Sequence, residues 1–331
     1  MVEMSDYAIE VENLVKKYGD FEAVRGISFR VRKGEIFAFL GPNGAGKTTT
    51  VHVLTTLLRP TRGRAIVAGH NVVEEPMEVR KRIGIVFQDP SLDRELTAYE
   101  NMYIHGRIYG LKGSELREKI GRLLKFVELW EFKDKPIKTF SGGMQRRLEI
   151  ARSLLHEPEI LFLDEPTIGL DPQTRAHIWD YIRTMKEEHN MTIFLTTHYM
   201  DEAERLADRI AIMDHGKIIA EGTAEELKRL VGNDVIYLKL DAPEELKCFK
   251  ADFIGGCKIL ADGRVALEVE NAAEALPKLF ELAGERGIKI LEVTYHRPTL
   301  NDVFLHLTGR EIREEGTESP GVAFARRRMR R

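Results

Sequence analysis

The chain has 331 residues, 43% of them hydrophobic and 31% charged, with a formal net charge of −3. That length allows two domains of ordinary size, and the composition excludes disorder and fibrous repeats. The charge balance provides no global basic field for nucleic acid, no run reaches the roughly 18 apolar residues of a membrane span, and acidic residues stand within Met1 to Leu14 where a secretory signal would be basic, so a cytoplasmic protein is expected.

In chain order, Ala8 to Val15 and Ile27 to Val31 alternate apolar and polar residues, which predicts an antiparallel edge subdomain. Ile36 to Leu40 is a continuous apolar run, the pattern of a strand buried on both faces. Ile160 to Leu163, Ile193 to Leu195 and Ile210 to Met213 repeat it. Helical patterns separate these runs, so the predicted fold class is α/β with a mainly parallel sheet. Between Asp89 and Pro158 the spacing turns helical at Tyr99 to Tyr109, Ser114 to Glu128 and Gly142 to Leu155, which reads as a helical insertion over about 89–158, with Ser114 starting its second helix.

The pattern changes again at Gly232-Asn233-Asp234. Val235 to Leu240 alternates as a strand and Pro243 to Phe253 as a helix. Lys258 to Leu260 and Arg264 to Val269 flank Asp262-Gly263 as a hairpin, Ala272 to Arg286 is helical and Lys289 to Tyr295 extended. That βαββαβ order is the order of a ferredoxin-like unit, and an amphipathic piece, Pro298 to Leu307, follows it. The expected organisation is a nucleotide domain over 1–231, a small α+β accessory or dimerisation domain over 232–309 and a basic tail over 310–331. The tail's Arg326, Arg327, Arg328, Arg330 and Arg331 read equally as a solvated end and as a patch for acidic lipid headgroups. Cys248 and Cys257 lack metal-ligand companions and read as free thiols of a reducing compartment, near or in a core.

Chemistry concentrates after the first buried strand, where Gly41, Pro42, Asn43, Gly44, Ala45, Gly46, Lys47 and Thr48 form a glycine-rich loop leading into a predicted helix. A triphosphate needs many N–H donors with no side chains in the way, and the helix aims its N-terminal dipole at the same anion. Lys47 would reach the β- and γ-phosphates, and the Thr48 hydroxyl would sit on Mg²⁺. Asp164 and Glu165 end the apolar run from Ile160, the end at which open α/β sheets bind ligands. Asp164 would hold Mg²⁺ and Glu165 would orient the water that attacks the γ-phosphate, although a chance acidic strand end is common. Ser141, Gly142 and Gly143 open another helix, as an anion site or as a plain N-cap.

Phosphate loop, Ser-Gly-Gly and apolar-Asp-Glu strand, in that order, resemble the ATP-binding cassette (ABC) family from roughly Ile9 to Leu230. The resemblance implies a P-loop cassette with a helical insertion, and it adds Thr49 to the loop and further site residues. Gln88 matches a loop glutamine linking the Mg²⁺ and water site to the insertion. Asp171, in Gly169-Leu170-Asp171, matches a loop touching the opposite subunit, and His198 matches a histidine contacting the γ-phosphate. Tyr18 is a candidate for stacking on adenine, or for core packing. One departure is Met144, apolar where many members have glutamine.

The same resemblance implies two composite ATP sites between two subunits, hence a homodimer or a similar partner, and a separate membrane permease touching the segment Asp89 to Tyr99. The single cassette and the ending Arg297 to Gly309 are similar to the ATP-binding subunits of daunorubicin-type drug export pumps. These imply an ATPase peripheral to the cytoplasmic face of a membrane, with ATP and Mg²⁺ as cofactors and no nucleic acid partner. A soluble regulatory or nucleic-acid-associated ATPase is the alternative.

Overall fold

Two long strands, β1 (Tyr7–Tyr18) and β2 (Phe21–Arg32), open the fold as an antiparallel hairpin. With β4 (Arg62–Val67) and the short β5 (His70–Asn71) they form a four-stranded sheet in the order β2-β1-β4-β5. Between them in sequence lie β3 (Ile36–Leu40) and α1 (Lys47–Leu54). The computed structural model describes residues 6–241, 251–260 and 264–308.

The central sheet is built on β3, which pairs parallel with β8 (Thr192–Thr197) and β9 (Arg209–Asp214). It continues through β7 (Ile160–Asp164) to β6 (Ile83–Val86), also parallel, and ends in antiparallel β10 (Lys217–Gly222), giving the order β10-β9-β3-β8-β7-β6. Every residue of β3, β7 and β8 is buried, as a strand covered on both faces requires. On one face Phe29 of β2 joins Phe37, Phe39, Phe162 and Phe194 in a single apolar cluster with α1. Phe39 meets Phe29 and Phe194 edge-on with ring centroids 4.9 Å apart, an arrangement stabilising by about 0.5–1.5 kcal/mol per pair beyond area burial.

Short α2 (Pro76–Arg82) leads into β6. The insertion contains α3 (Ala98–Ile108), α4 (Gly113–Phe126) and α5 (Gly142–Ser153), whose apolar faces form their own core with Leu129, Ile137 and Phe140. Thr97 and Glu100 start α3 with a reciprocal capping box. The start expected at Ser114 is corrected: Lys112 is the cap residue of α4, no side-chain cap bond forms, and Ser114 lies inside the first turn. After β7 come α6 (Pro172–His189) and α7 (Met200–Leu206), with α7 packed on β3 and β8.

The chain divides into two compact units between Ala224 and Glu225, at the start of α8 (Ala224–Arg229) and ahead of the Gly232 turn. The second unit is an antiparallel sheet of β11 (Asp234–Leu240), β12 (Ile254–Ile259), β13 (Val265–Val269) and β14 (Ile290–His296), in the order β12-β13-β11-β14. Helix α9 (Ala272–Glu285) packs on β11 and β14, and α10 (Leu300–Thr308) ends the described chain. Placing the first and third strands centrally is the arrangement of a ferredoxin-like βαββαβ unit. The helix expected over Pro243 to Phe253 falls mostly outside the described residues, and its last three, Ala251 to Phe253, are not helical. Cys248, Asp262-Gly263 and the 310–331 tail with its arginines also lie outside them. Cys257, expected near or in a core, is an exposed free thiol on β12.

Candidate functional site

The loop from Gly41 to Gly46 has its shape because side chains are excluded from it. A Cβ on Gly41 would stand 2.2 Å from the Met213 carbonyl oxygen, and one on Gly46 would stand 2.6 Å from that of Ala23. Gly46 also holds φ at +104°, in the left-handed region that favours glycine. It caps α1 with no side-chain hydrogen bond, so the first-turn N–H groups keep their capacity for an anion. Pro42 and Ala45 close the loop through an Ala45 N–H donated to the Pro42 carbonyl, while Asn43 and Gly44 stand exposed at its tip and Thr49 is half-buried on α1.

Lys47 folds back over this loop. Its buried ammonium donates to the carbonyls of Gly41 at 2.7 Å and Pro42 at 3.2 Å. It also lies 3.0 Å from Glu165 Oε1, an ion-pair distance without hydrogen-bond alignment. Thr48 donates its hydroxyl to Asp164 Oδ1 at 3.2 Å.

Parallel pairing of β7 and β8 sets Asp164 opposite Thr196, whose hydroxyl donates to the same Oδ1 at 2.5 Å. Asp164 Oδ2 is buried with no hydrogen-bond partner. Burial pushes the Asp164 carboxyl above the usual aspartate range, against the pull of the Thr196 and Thr48 hydrogen bonds.

Glu165 leaves the strand at φ +49°, and its N–H donates to both the carbonyl and the hydroxyl of Thr196 at 3.1 Å. A left-handed non-glycine residue costs about 1–3 kcal/mol and persists only where its surroundings enforce it. The turn aims Glu165 Oε2 at His198, whose Nδ1 donates across 2.7 Å. Burial raises the Glu165 carboxyl, but the His198 hydrogen bond and the Lys47 charge outweigh it and hold the group below the usual glutamate range. Lys47, Thr48, Asp164, Glu165 and His198 are therefore one hydrogen-bonded and ion-paired cluster beside the phosphate loop.

The other expected site residues are not bonded into that cluster. Gln88 has an exposed side chain with no hydrogen bond among the described residues, and only its carbonyl is held, by Arg146 Nη2 at 3.0 Å. Tyr18 ends β1 at 46% exposure, which removes core packing as its role. Ser141 N-caps α5 by accepting from the Met144 N–H at 3.3 Å and remains exposed with Gly142, so cap and anion donor are compatible. Gly143 is pressed against α6, where a Cβ would stand 2.4 Å from Thr174 Cγ2. Met144 packs on the insertion core, while Gln145 beside it donates to the Phe140 carbonyl at 3.1 Å. Asp171 N-caps α6, accepting from the Thr174 N–H at 3.0 Å and hydroxyl at 2.6 Å.

Two residues were not anticipated. Thr196 braces the Asp164 carboxylate and the Glu165 backbone N–H, and the two threonines that close β8 after Ile193-Phe194-Leu195 were its signal. Glu202 of α7 is fully buried and accepts from the Thr167 hydroxyl at 2.7 Å and Trp179 Nε1 at 2.9 Å, tying the turn after Glu165 to α6. Its carboxyl is pushed up by burial. An acid in Met200-Asp201-Glu202 gives no sign of that role.

Comparison with known proteins supplies the family. A family model described as ABC transporter matches residues 24–168, and one described as the C-terminal domain of ATP-binding proteins like DrrA1-3 matches residues 222–308. The daunorubicin resistance ATP-binding protein DrrA3 of Streptomyces coeruleorubidus is 45% identical, the alignment covering 94% of this chain and 98% of that protein. The linearmycin resistance ATP-binding protein LnrL of Bacillus subtilis is 38% identical over 92% of this chain and all (100%) of its own. Among solved structures, cbiO1 from Clostridium perfringens, part of the ABC transporter complex cbiONQ, matches with a TM-score of 0.63 at 33% identity, covering 69% of this chain and 94% of that one. A dimeric post-hydrolysis structure of the ATP-binding cassette MJ0796 with ADP and Pi matches with a TM-score of 0.60 at 29% identity, covering 65% of this chain and 98% of that one. No described helix is long and apolar enough to cross a membrane. With full-length relatives at this identity and a cassette whose lysine, acidic pair and histidine converge on one phosphate loop, the chain belongs to the ATP-binding proteins of ABC transporters, which are ATPases.

Proposed function

We propose that the chain is the nucleotide-binding subunit of an exporter of drug-like, largely apolar compounds, working as a dimer on the cytoplasmic face of a membrane beside a separate permease. The observation that carries the catalytic part is the buried cluster of Lys47, Asp164, Glu165 and His198 on the phosphate loop. The export part rests on relatives named for daunorubicin and linearmycin resistance. The assignment to an assembly with a second copy is supported by the exposed Ser141, Gly142 and Asp171, and by the dimeric MJ0796 structure. The permease would meet the insertion within Asp89 to Tyr99, and the second unit would pack the dimer.

Hydrolysis follows from the residues' states. Glu165, held below the usual glutamate range, is ionised at neutral pH and so able to orient and polarise a water. His198 fixes that carboxylate and stands ready for the γ-phosphate, Gln88 would approach from the insertion, and Tyr18 offers an exposed ring to adenine. The residues fit Mg²⁺: Asp164 Oδ2 is a buried oxygen without a partner, and the Thr48 hydroxyl shares the neighbouring Oδ1. Among the described residues no group of three or more potential ligands forms a cage, as suits an ion that keeps waters and phosphate oxygens in its shell. When bound, Mg²⁺ neutralises charge on the β- and γ-phosphates.

Glu165→Gln tests the reading: ATP binding should persist while steady-state hydrolysis stops. Wild-type turnover by that variant refutes Glu165 as the base.

A further inference from the structure

Helix α5, which Ser141 N-caps, carries Arg146, Glu149 and Arg152 three residues apart, so that they form one stripe along it. All three grip the same stretch of backbone, residues 87–91. Arg146 donates from Nη1 to the Phe87 carbonyl at 2.5 Å and from Nη2 to the Gln88 carbonyl at 3.0 Å. Glu149 Oε1 accepts the Ser91 N–H at 2.7 Å and the Ser91 hydroxyl at 3.3 Å, while its Oε2 pairs with Arg146 at 3.2 Å. Arg152 donates to the Ser91 carbonyl at 2.9 Å and to the Ser91 hydroxyl.

Such an arrangement is costly. Arg146 is 6% and Glu149 1% exposed, and apolar side chains of similar volume often stabilise a fold as well as a buried ion pair does. Apolar groups cannot hold two consecutive carbonyls and an N–H in fixed directions, which a guanidinium fork and a carboxylate can. The stretch so fixed carries Gln88, whose side chain is left exposed and unbonded among the described residues. The helix that fixes it is continuous over Gly142–Ser153 and starts at the Ser141 cap.

We infer that Arg146 and Glu149 are positioning residues that join the Gln88 loop to the helix of Ser141, so that a displacement of the segment following Gln88 is delivered to the Ser141 end as a rigid-body shift. This deepens the proposed function and rests on it. Neither residue touches nucleotide in this scheme. They act through the loop backbone, and the effect of Gln88 on turnover depends on them.

The test is a double-mutant cycle on the full chain, measuring kcat and KM for MgATP in wild type, Gln88→Ala, Glu149→Ala and the double variant. Gln88→Ala and Glu149→Ala should each lower kcat by about tenfold with KM changed by less than about twofold, and the double variant should be no slower than the worse single variant. Glu149→Gln keeps the volume and one acceptor for the Ser91 N–H, and should recover part of kcat if Glu149→Ala folds poorly. Tryptophan fluorescence melting counts the folded fraction. Losses that multiply in the double variant, or a kcat untouched by Glu149→Ala, overturn the inference. A wild-type chain that hydrolyses no ATP would instead refute the function beneath it.

Discussion

Thr196→Val isolates the brace beneath the acidic pair. Valine keeps the branched shape that suits β8 and removes only the hydroxyl. In a position that is fully buried, that hydroxyl donates to Asp164 Oδ1 at 2.5 Å and accepts the Glu165 N–H at 3.1 Å. Glu165 retains the Thr196 carbonyl as acceptor at 3.1 Å, so its N–H is not stranded. Asp164 Oδ1 retains only the 3.2 Å bond from Thr48. The loss is thus one hydrogen bond to a charged group, about 2 kcal/mol, which in a folding unit of this size lowers Tm by about 4–8 °C. Trp130 and Trp179 are the chain's 2 tryptophans and both lie in the first unit, so their fluorescence reads that unit alone. The sign with pH follows from Asp164, whose folded pKa is already raised by burial and would rise further without Thr196. A raised carboxyl favours the fold below the ordinary value of about 3.9 and loses that advantage as pH climbs through the raised one, so the Tm deficit of the variant should widen from acid to neutral pH. The acid limb of ATP hydrolysis should move to higher pH as well. A deficit under about 2 °C at neutral pH, with the acid limb unmoved, refutes the brace.

Gly143→Ala should destabilise the first unit by about 1–3 kcal/mol, because the new Cβ would stand 2.4 Å from Thr174 Cγ2. Thr174→Ser removes that methyl while keeping the hydroxyl bonded to Asp171, and should restore most of the loss in a thermal melt. His105, packed on the rings of Tyr109 and His156, is driven down by burial from 6.5 to about 4, with the Arg152 charge adding to the effect. A depressed histidine gives stability that is full above the unfolded value and lost as pH falls toward the folded one. The loss between pH 6.5 and about 4 should be on the order of 3 kcal/mol, and His105→Phe should flatten that limb in denaturant titrations.

Patterns that depend on neighbours in sequence were legible. Each long apolar run became a strand of the parallel sheet, and Gly41 to Gly46 became a loop because its glycines are required by position, at Gly41 by the Met213 carbonyl and at Gly46 by its φ. Elements set by tertiary contact were not. Strand β6 is only Ile83–Val86 and contains Gly84, a residue that weakens any local strand signal. A Cβ there would stand 2.6 Å from the Ser153 carbonyl, so the glycine is dictated by α5, which comes much later in the chain. The site divides in the same way. Lys47 and Asp164 are announced by their motifs, whereas Thr196 acts through the β7–β8 register and Glu202 through its burial against Thr167 and Trp179.

That division also sets what a nucleotide would meet at the site. The backbone is already committed: glycines shape the loop, Glu165 is locked in a left-handed turn, and Thr196 bonds to both acids. The side chains meanwhile satisfy one another, since Lys47 donates to two loop carbonyls and faces Glu165, which in turn holds His198. A triphosphate offers Lys47 stronger acceptors than neutral carbonyls. It also adds negative charge beside two buried carboxylates, of which Lys47 faces only Glu165, and low local dielectric strengthens that repulsion. On the proposed reading a divalent cation would offset that charge from the Asp164 side, where Oδ2 has no hydrogen-bond partner of its own. ATP without the metal should consequently bind far more weakly than its magnesium complex, and more weakly still once Lys47 is neutralised.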